Sequence, residues 1–403
     1  MRIPAFLIPN EIVVQNRKLV KTEQELSEAV SLFQNCKEIA IDTESNGLYA
    51  YGERVCLIQI ATSDQCFIID TLSIRDMSPL ADMLSDRNVL KIIHGSDYDL
   101  RCLDRDYGFN LHSIFDTQIA ARFLGDTRPN LGSVLDIYLN VQIKKSHRLQ
   151  TSNWGLRPLS EEAIDYAASD VEYLIDLHQE LARRLKELDR ATWVDEECQR
   201  LEQIKHTAPL APDVAFLNLK GSKKLTPRGL AMLKDLFLWR DTKASVKDVP
   251  PSRIVTNDEL IQICLQASSI RSSDKMTIRK VLTEIGNVKP IIPYNYLDDI
   301  LNVLVLSIDT LEVHRPEQRR LSTFSDPESK DRLQMLKQWR KNKSSSLSLD
   351  PSLIWPVKSL ERIAIQTDQL ESEITDLQTS SVRSWQIAEF STELRNLILN
   401  NTQ

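Results

Sequence analysis

No two of the six cysteines of this 403-residue chain, at positions 36, 56, 66, 102, 198 and 264, are spaced Cys-x-x-Cys. That scatter excludes a ribbon-type zinc site or a redox pair and leaves the thiols as small apolar residues of a reducing compartment. No apolar run is long enough to span a bilayer and no basic-then-apolar leader is seen, so a cytoplasmic location and no membrane partner are expected. A Gly-x-x-x-x-Gly-Lys-Ser/Thr loop is missing too; Lys220-Gly221-Ser222-Lys223 lacks that spacing, and no nucleotide cofactor is expected. Nothing suggests a Ser-His-Asp or Cys-His nucleophile system. Excess positive charge is also lacking, the formal net charge being −7. The whole-chain sign excludes little, because the charges are segregated. Between Lys220 and Arg253 stand nine Lys or Arg against three Asp, whereas Glu161, Glu162, Asp165, Asp170, Glu172, Asp176 and Glu180 crowd one stretch. The first pattern suits a phosphate-tracking surface or a solvated helical face; the second suits a cation site.

What is present is a series of acids. The run EIAID is apolar and β-branched, with Ser45, Asn46 and Gly47 after it, and reads as a buried strand ending at Asp42. Asp42 and Glu44 leave an extended backbone on the same face. Two carboxylates so close repel unless a cation or proton intervenes. VLKIIHG reads as a second central strand, after which a helix begins whose first turn holds Asp97 and Asp99. A helix is expected over roughly 160–188, with Ser160 as its N-cap and Tyr166 and Asp170 four apart on one face. Carboxylates gathered from separate elements suit hard divalent cations, which take oxygen ligands. Two such ions can activate a water and stabilise a leaving phosphodiester oxygen. The chain therefore reads as a metal-dependent nuclease.

The ordered set resembles the DEDD superfamily of 3′→5′ exonucleases, in the subgroup with tyrosine in the third motif, and within it the ribonuclease D family and its exosome-associated relatives. The stretches that carry the likeness are IAIDTESNGLYAYGERVCLIQIAT, KIIHGSDYDLRCLDRDYGFNLHSIFDTQIAARFLG and SNWGLRPLSEEAIDYAASDVEYLIDLHQEL. The family's His-Gly-x-x-x-Asp pattern selects Asp99 over Asp97. The resemblance implies two Mg²⁺ or Mn²⁺ ions held by Asp42, Glu44, Asp99 and Asp170, a water oriented by Tyr166, and release of nucleoside 5′-monophosphates from the 3′ ends of RNA such as transfer RNA precursors or other small RNAs. The same carboxylates would cut DNA, and a silent binding scaffold on this fold is the remaining alternative. Before the catalytic helix, Lys144, Lys145, Arg148, Gln150, Trp154 and Arg157 combine cations with an aromatic, as a single strand requires. Trp154 is either a base contact or a core residue fixing the loop. His94 either touches the terminal nucleotide or is a buried histidine bonded to backbone.

An internal repeat organises the remainder. Shifted by one hundred, residues 233–263 match 333–363 at eleven of thirty-one positions, including Trp239/Trp339, Arg240/Arg340 and Pro251/Pro351. The first copy resembles the helicase-and-RNase-D C-terminal (HRDC) domain, a small helical nucleic-acid-binding module, whose contacts here would include Lys223, Lys224 and Arg228. The second copy has a Ser-rich loop in place of part of the basic run. The expected architecture is an α/β ribonuclease-H-like exonuclease domain at 1–208, a mixed sheet flanked by helices with strands near 38–43, 54–62, 66–70 and 89–94. Two all-α HRDC-like domains follow at 222–308 and 326–402, with 209–224 as linker or domain-entry loop.

Overall fold

A computed structural model describes residues 16–143, 146–270, 274–284, 294–316, 327–375 and 381–399. Six strands, β1 Arg17–Val20, β2 Glu38–Ser45, β3 Val55–Ala61, β4 Cys66–Asp70, β5 Leu90–Ile93 and β6 Ile114–Asp116, form one sheet in the order β1-β4-β3-β2-β5-β6. β3 runs antiparallel to both of its neighbours, β2 and β4, while β1 joins β4, and β5 joins β2 and β6, in parallel. The sheet is mixed, as expected. β1 and β6 escape sequence reading because four and three residues are too few for a pattern.

Both faces are covered, which is why β3 is a continuous apolar run with all seven residues buried. One face packs under α1 Glu23–Phe33, α2 Pro79–Ser85 and α3 Asp97–Tyr107. The other, with Ala40, Leu57, Ala61, Ile68 and Ile92, lies under α4 Thr117–Phe123, α5 Leu131–Leu139, α6 His147–Gln150, α7 Glu161–Ser169, α8 Leu174–Glu187 and α9 Ala191–Leu201. The single helix expected over 160–188 is thus two. After Ser169 the N–H of Val171 and of Glu172 both donate to the Ala168 carbonyl, and the N–H of Leu174 donates to Val171, so the chain tightens into a turn. The apolar spacing runs through the break because Ala167, Val171 and Leu174 all enter the same core.

A first helical unit follows, built from α10 Pro212–Ala215, α11 Pro227–Lys247, α12 Asn257–Ala267, α13 Lys275–Glu284 and α14 Leu297–Ser307. Phe216, 1% exposed, is part of its core, so the segment 209–224 is not a free linker. The second unit comprises α15 Pro327–Leu347, α16 Pro351–Ile354, α17 Val357–Ile365, α18 Gln369–Thr375 and α19 Ser384–Leu399. The hundred-residue offset holds at the ends of α11 and α15 and at the left-handed residues after them, Asp248 (φ 48°) and Ser348 (φ 53°).

Both units turn this corner toward the sheet domain. Asp248 accepts from the Tyr51 backbone N–H (3.1 Å). Ser348 presents its carbonyl to Gly125, where φ is +105° and an added Cβ would lie 2.8 Å from that oxygen. The second unit is bound more deeply. Trp385 stacks on Trp193 (4.7 Å between centroids) and meets Phe123 edge-on (5.3 Å), so its core is continuous with that of the sheet domain. Glu196 accepts from the backbone N–H of Ser384 (2.7 Å) and Trp385 (2.8 Å), satisfying donors at the start of α19 that otherwise lack partners.

Candidate active site

β2 carries Asp42 and Glu44 out of the sheet, and α7 ends over them. Carboxylate oxygens of Asp42, Glu44 and Asp170 lie within 4.8 Å of one another. Asp170 caps the C-terminus of α7, so the turn that ends the helix also aims this acid at the strand. Asp99, 8% exposed, stands in the first turn of α3 and accepts a hydrogen bond from the hydroxyl of Thr43, the residue between the two β2 acids. Asp97, equally placed in sequence, points to solvent and pairs with Arg101 (2.9 Å). Three of the four sequence-predicted carboxylates therefore meet, Asp99 stands close enough to repel Asp42 and Glu44, and the decoy does neither.

Electrostatics set the character of the cluster. Burial, then repulsion from Asp99, Asp170 and Glu44, raises the Asp42 carboxyl well above its ordinary range, and burial followed by Asp170 and Asp99 does the same to Glu44. Burial pushes Asp170 up to about 7, and Asp99 up to about 6 against the opposing hydrogen bond from Thr43. These carboxylates have no Lys or Arg salt-bridge partner among the described residues, although such pairs are abundant elsewhere. A set of hard oxygen donors held together without counter-charge fits a divalent cation.

Tyr166, one helical turn before Asp170, faces the cluster. Burial and the nearby Asp170, Glu44 and Asp42 all raise its phenol, which keeps it protonated. Trp154, 2% exposed, backs the Tyr166 ring at 6.1 Å, so of its two readings the structure gives the buried one. Arg157 also changes role. Its five N–H groups are spent on Asp70 (2.7 and 2.6 Å) and on the carbonyls of Trp154, Leu156 and Cys56, leaving none for a phosphate. His94 is half-buried, with Nδ1 2.9 Å from the Thr117 hydroxyl, and burial lowers its pKa. Lys144 and Lys145 lie outside the described residues.

A cleft of about 500 Å³ opens beside Glu44, walled by Tyr51, Glu53, Tyr98 and the exposed Gln150, and closed by Pro250 and Pro251 of the first helical unit. The unit is fixed there by Tyr51, whose hydroxyl donates to Asp241 (2.9 Å), and by Arg253 over the Tyr49 ring (4.3 Å). Sequence reading missed this wall, since nothing local says that the Pro-Pro loop meets β2. The basic stretch is correspondingly less free than its composition suggests. Arg240 is buried on the Val255 carbonyl and Asn257, Lys243 pairs with Asp299 (2.8 Å), and Arg228 donates to the Ile270 carbonyl (2.8 Å). Lys223 and Lys224 remain exposed. Also missed were Thr43 and Asp116. Asp116 accepts from the backbone N–H of Gly95 and Ser96 and from the Ser96 hydroxyl, fixing the loop from which α3 and Asp99 start. An Asp before a helical run is an N-cap signal, and Asp116 does cap α4, but its second duty is tertiary.

Comparison with known proteins agrees with this architecture. The family described as 3′-5′ exonuclease matches residues 18–186 and the HRDC domain family matches residues 229–272. Ribonuclease D of Desulfotalea psychrophila is 28% identical over 358 residues, covering 88% of this chain and 92% of that protein. Exosome complex component 10 of Homo sapiens is 33% identical over 252 residues, 60% of this chain but only 28% of that larger protein. The crystal structure of Escherichia coli RNase D, an exoribonuclease involved in structured RNA processing, shares the fold at 22% identity, with a TM-score of 0.65 over 96% of this chain and 99% of that one. With a 3′-5′ exonuclease match over the domain that presents the carboxylates and an HRDC match behind it, the chain is similar to ribonuclease D along most of its length.

Proposed function

We propose that the chain is a 3′–5′ exoribonuclease that trims single-stranded RNA 3′ ends, releasing nucleoside 5′-monophosphates. Its substrates are transfer RNA precursors or other small RNAs and its location is the cytoplasm. The observation that carries the reading is the meeting of Asp42, Glu44 and Asp170 at the mouth of a cleft, under a tyrosine. Asp42, Glu44, Asp99 and Asp170 would hold two divalent cations, Mg²⁺ or Mn²⁺. Bound there, the cations would supply charge neutralisation at the scissile phosphodiester and a nucleophile at neutral pH.

The chain's own residues do the rest. Tyr166 stays a neutral phenol and orients the attacking water as a hydrogen-bond partner, not as a base. Trp154 holds the tyrosine ring in place. Tyr98 and Tyr51, 52% and 38% exposed in the cleft wall, offer π-faces to unstacked bases, and Gln150 offers an amide. His94 lies near the start of α3 and serves the terminal nucleotide. Lys223 and Lys224 supply an outlying phosphate contact whose strength falls with salt. The second helical unit, of HRDC type by its repeat, is bound to the exonuclease domain and acts first as a brace.

Digestion of matched RNA and DNA single strands with free 3′ ends tests the polymer choice. RNA is degraded faster; equal rates on the two would replace the exoribonuclease by a polymer-indifferent 3′–5′ exonuclease.

A further inference from the structure

In the middle of β3, Gln59 is 0% exposed, and neither Oε1 nor Nε2 of its carboxamide has a hydrogen-bond partner among the described residues. Leaving a buried amide unpaired costs on the order of 1–3 kcal/mol. Such a group in a native core calls for a reason. The register supplies one. Gln59 stands directly opposite Asp42 of β2 on one side and Ile68 of β4 on the other. Opposed residues of an antiparallel pair project to the same face with Cβ atoms about 5 Å apart. The carboxamide and the Asp42 side chain therefore leave the sheet side by side, on the face that α7 covers with Ala167 and Ala168 while bringing Tyr166 and Asp170 to the cluster.

The rest of that layer is apolar. Ala40, Leu57, Ala61 and Ile68 surround the position, and a leucine or methionine would fill the volume without leaving polar atoms unpaired. Beside it, Asp42 accepts a hydrogen bond from the backbone N–H of Thr43, which leaves other lone pairs on its two oxygens. A carboxylate that binds a cation through one lone pair is held in orientation by donors to the others, and such donors tune the affinity of the site. Asp99 already has a side-chain donor of this kind in the Thr43 hydroxyl.

We propose that Gln59 is a positioning residue for Asp42: its carboxamide N–H groups fix the orientation of the Asp42 carboxylate, directly or through one water, when that carboxylate binds a divalent cation. The role rests on the reading of Asp42 as a metal ligand.

The test uses the full-length protein with Gln59→Met and Gln59→Leu, reading two quantities that a merely structural amide would move differently. The first is the melting temperature in EDTA, which stays level or rises because an unpaired buried amide has been removed. The second is Mn²⁺ affinity, followed by water-proton relaxation or calorimetry, which falls about 10- to 100-fold. Mn²⁺ affinity within about two-fold of wild type in both variants overturns the proposal. So does a clear fall of the EDTA melting temperature in both, which would make the amide a partnered core group of the metal-free fold. Asp42→Asn separates the two layers of the argument. If wild type binds no Mn²⁺, or Asp42→Asn binds it as tightly as wild type, the metal reading itself fails, whatever Gln59 does.

Discussion

Raising the pH of the metal-free protein from 5 to 8 discharges Asp170 and Asp99 and destabilises the fold. Asp170 titrates at about 7 in the folded chain against an ordinary 3.8, because burial disfavours its charge, and Asp99 at about 6 for the same reason. A carboxyl whose folded pKa is raised binds its proton more tightly folded than unfolded. Its contribution is therefore fully present below the unfolded value and is lost as pH rises through the folded one. Each pH unit between the two is worth about 1.4 kcal/mol, less close to the folded value, so Asp170 alone gives up about 2 kcal/mol between pH 5 and pH 7. For a domain of about 200 residues that corresponds to a fall of roughly 6 °C in melting temperature. Thermal melts in EDTA and in millimolar Mg²⁺, taken across this range, measure it. The account expects a Tm that declines with pH in EDTA, and a gain from Mg²⁺ that grows with pH because the cation replaces the departing protons. Asp170→Asn should flatten the EDTA profile and at pH 8 melt above wild type while being inactive. A flat or rising EDTA profile, with an equal Mg²⁺ gain at pH 5 and pH 8, would refute the placement of these carboxylates as an uncompensated buried set.

Two further outcomes follow from named contacts. Tyr166→Phe removes one oriented hydrogen bond and should lower turnover by about 10²-fold with Mn²⁺ affinity unchanged; equal turnover would reduce Tyr166 to packing. Arg157→Gln leaves Asp70, 0% exposed, without its cationic partner and should cost about 3 kcal/mol in urea unfolding, with RNA affinity and its salt dependence unchanged. Lost RNA affinity at unchanged stability would instead make Arg157 a phosphate contact.

How much of this was legible beforehand depends on the range of each signal. β2 through β5 could be read because buried strands are written as local apolar runs, and the acids because Asp42 and Glu44 share a strand face while Tyr166 and Asp170 share a helix face. The likeness in the His-Gly-x-x-x-Asp stretch, not any local spacing, chose Asp99 over Asp97. Arg157 was misread for the opposite reason. A cation beside a tryptophan looks like a strand-binding pair until Asp70, eighty-seven residues away, takes it up. The basic count from Lys220 to Arg253 overstates the free charge for the same reason, because Asp299, Asn257 and Tyr49 take up Lys243, Arg240 and Arg253 while Lys223 and Lys224 stay exposed. The hundred-residue repeat disclosed a second helical unit, but not that Trp385 would seat it on Trp193.

That seating bears on any attempt to isolate the catalytic part. A chain cut near residue 208 would expose Trp193 and Phe123, so intact variants are the sound comparison. The central claim, hydrolysis from the 3′ end by a carboxylate-held metal site, is met most directly by one measurement. A 5′-labelled RNA with a free 3′ end is incubated with Mg²⁺ and wild-type protein or Asp42→Asn, and both the ladder and the released nucleotide are identified. The account predicts stepwise shortening from the 3′ end with nucleoside 5′-monophosphate as product, near-complete loss in Asp42→Asn, and arrest by EDTA that excess Mg²⁺ reverses. Undiminished activity in EDTA, or full activity in Asp42→Asn, would contradict it.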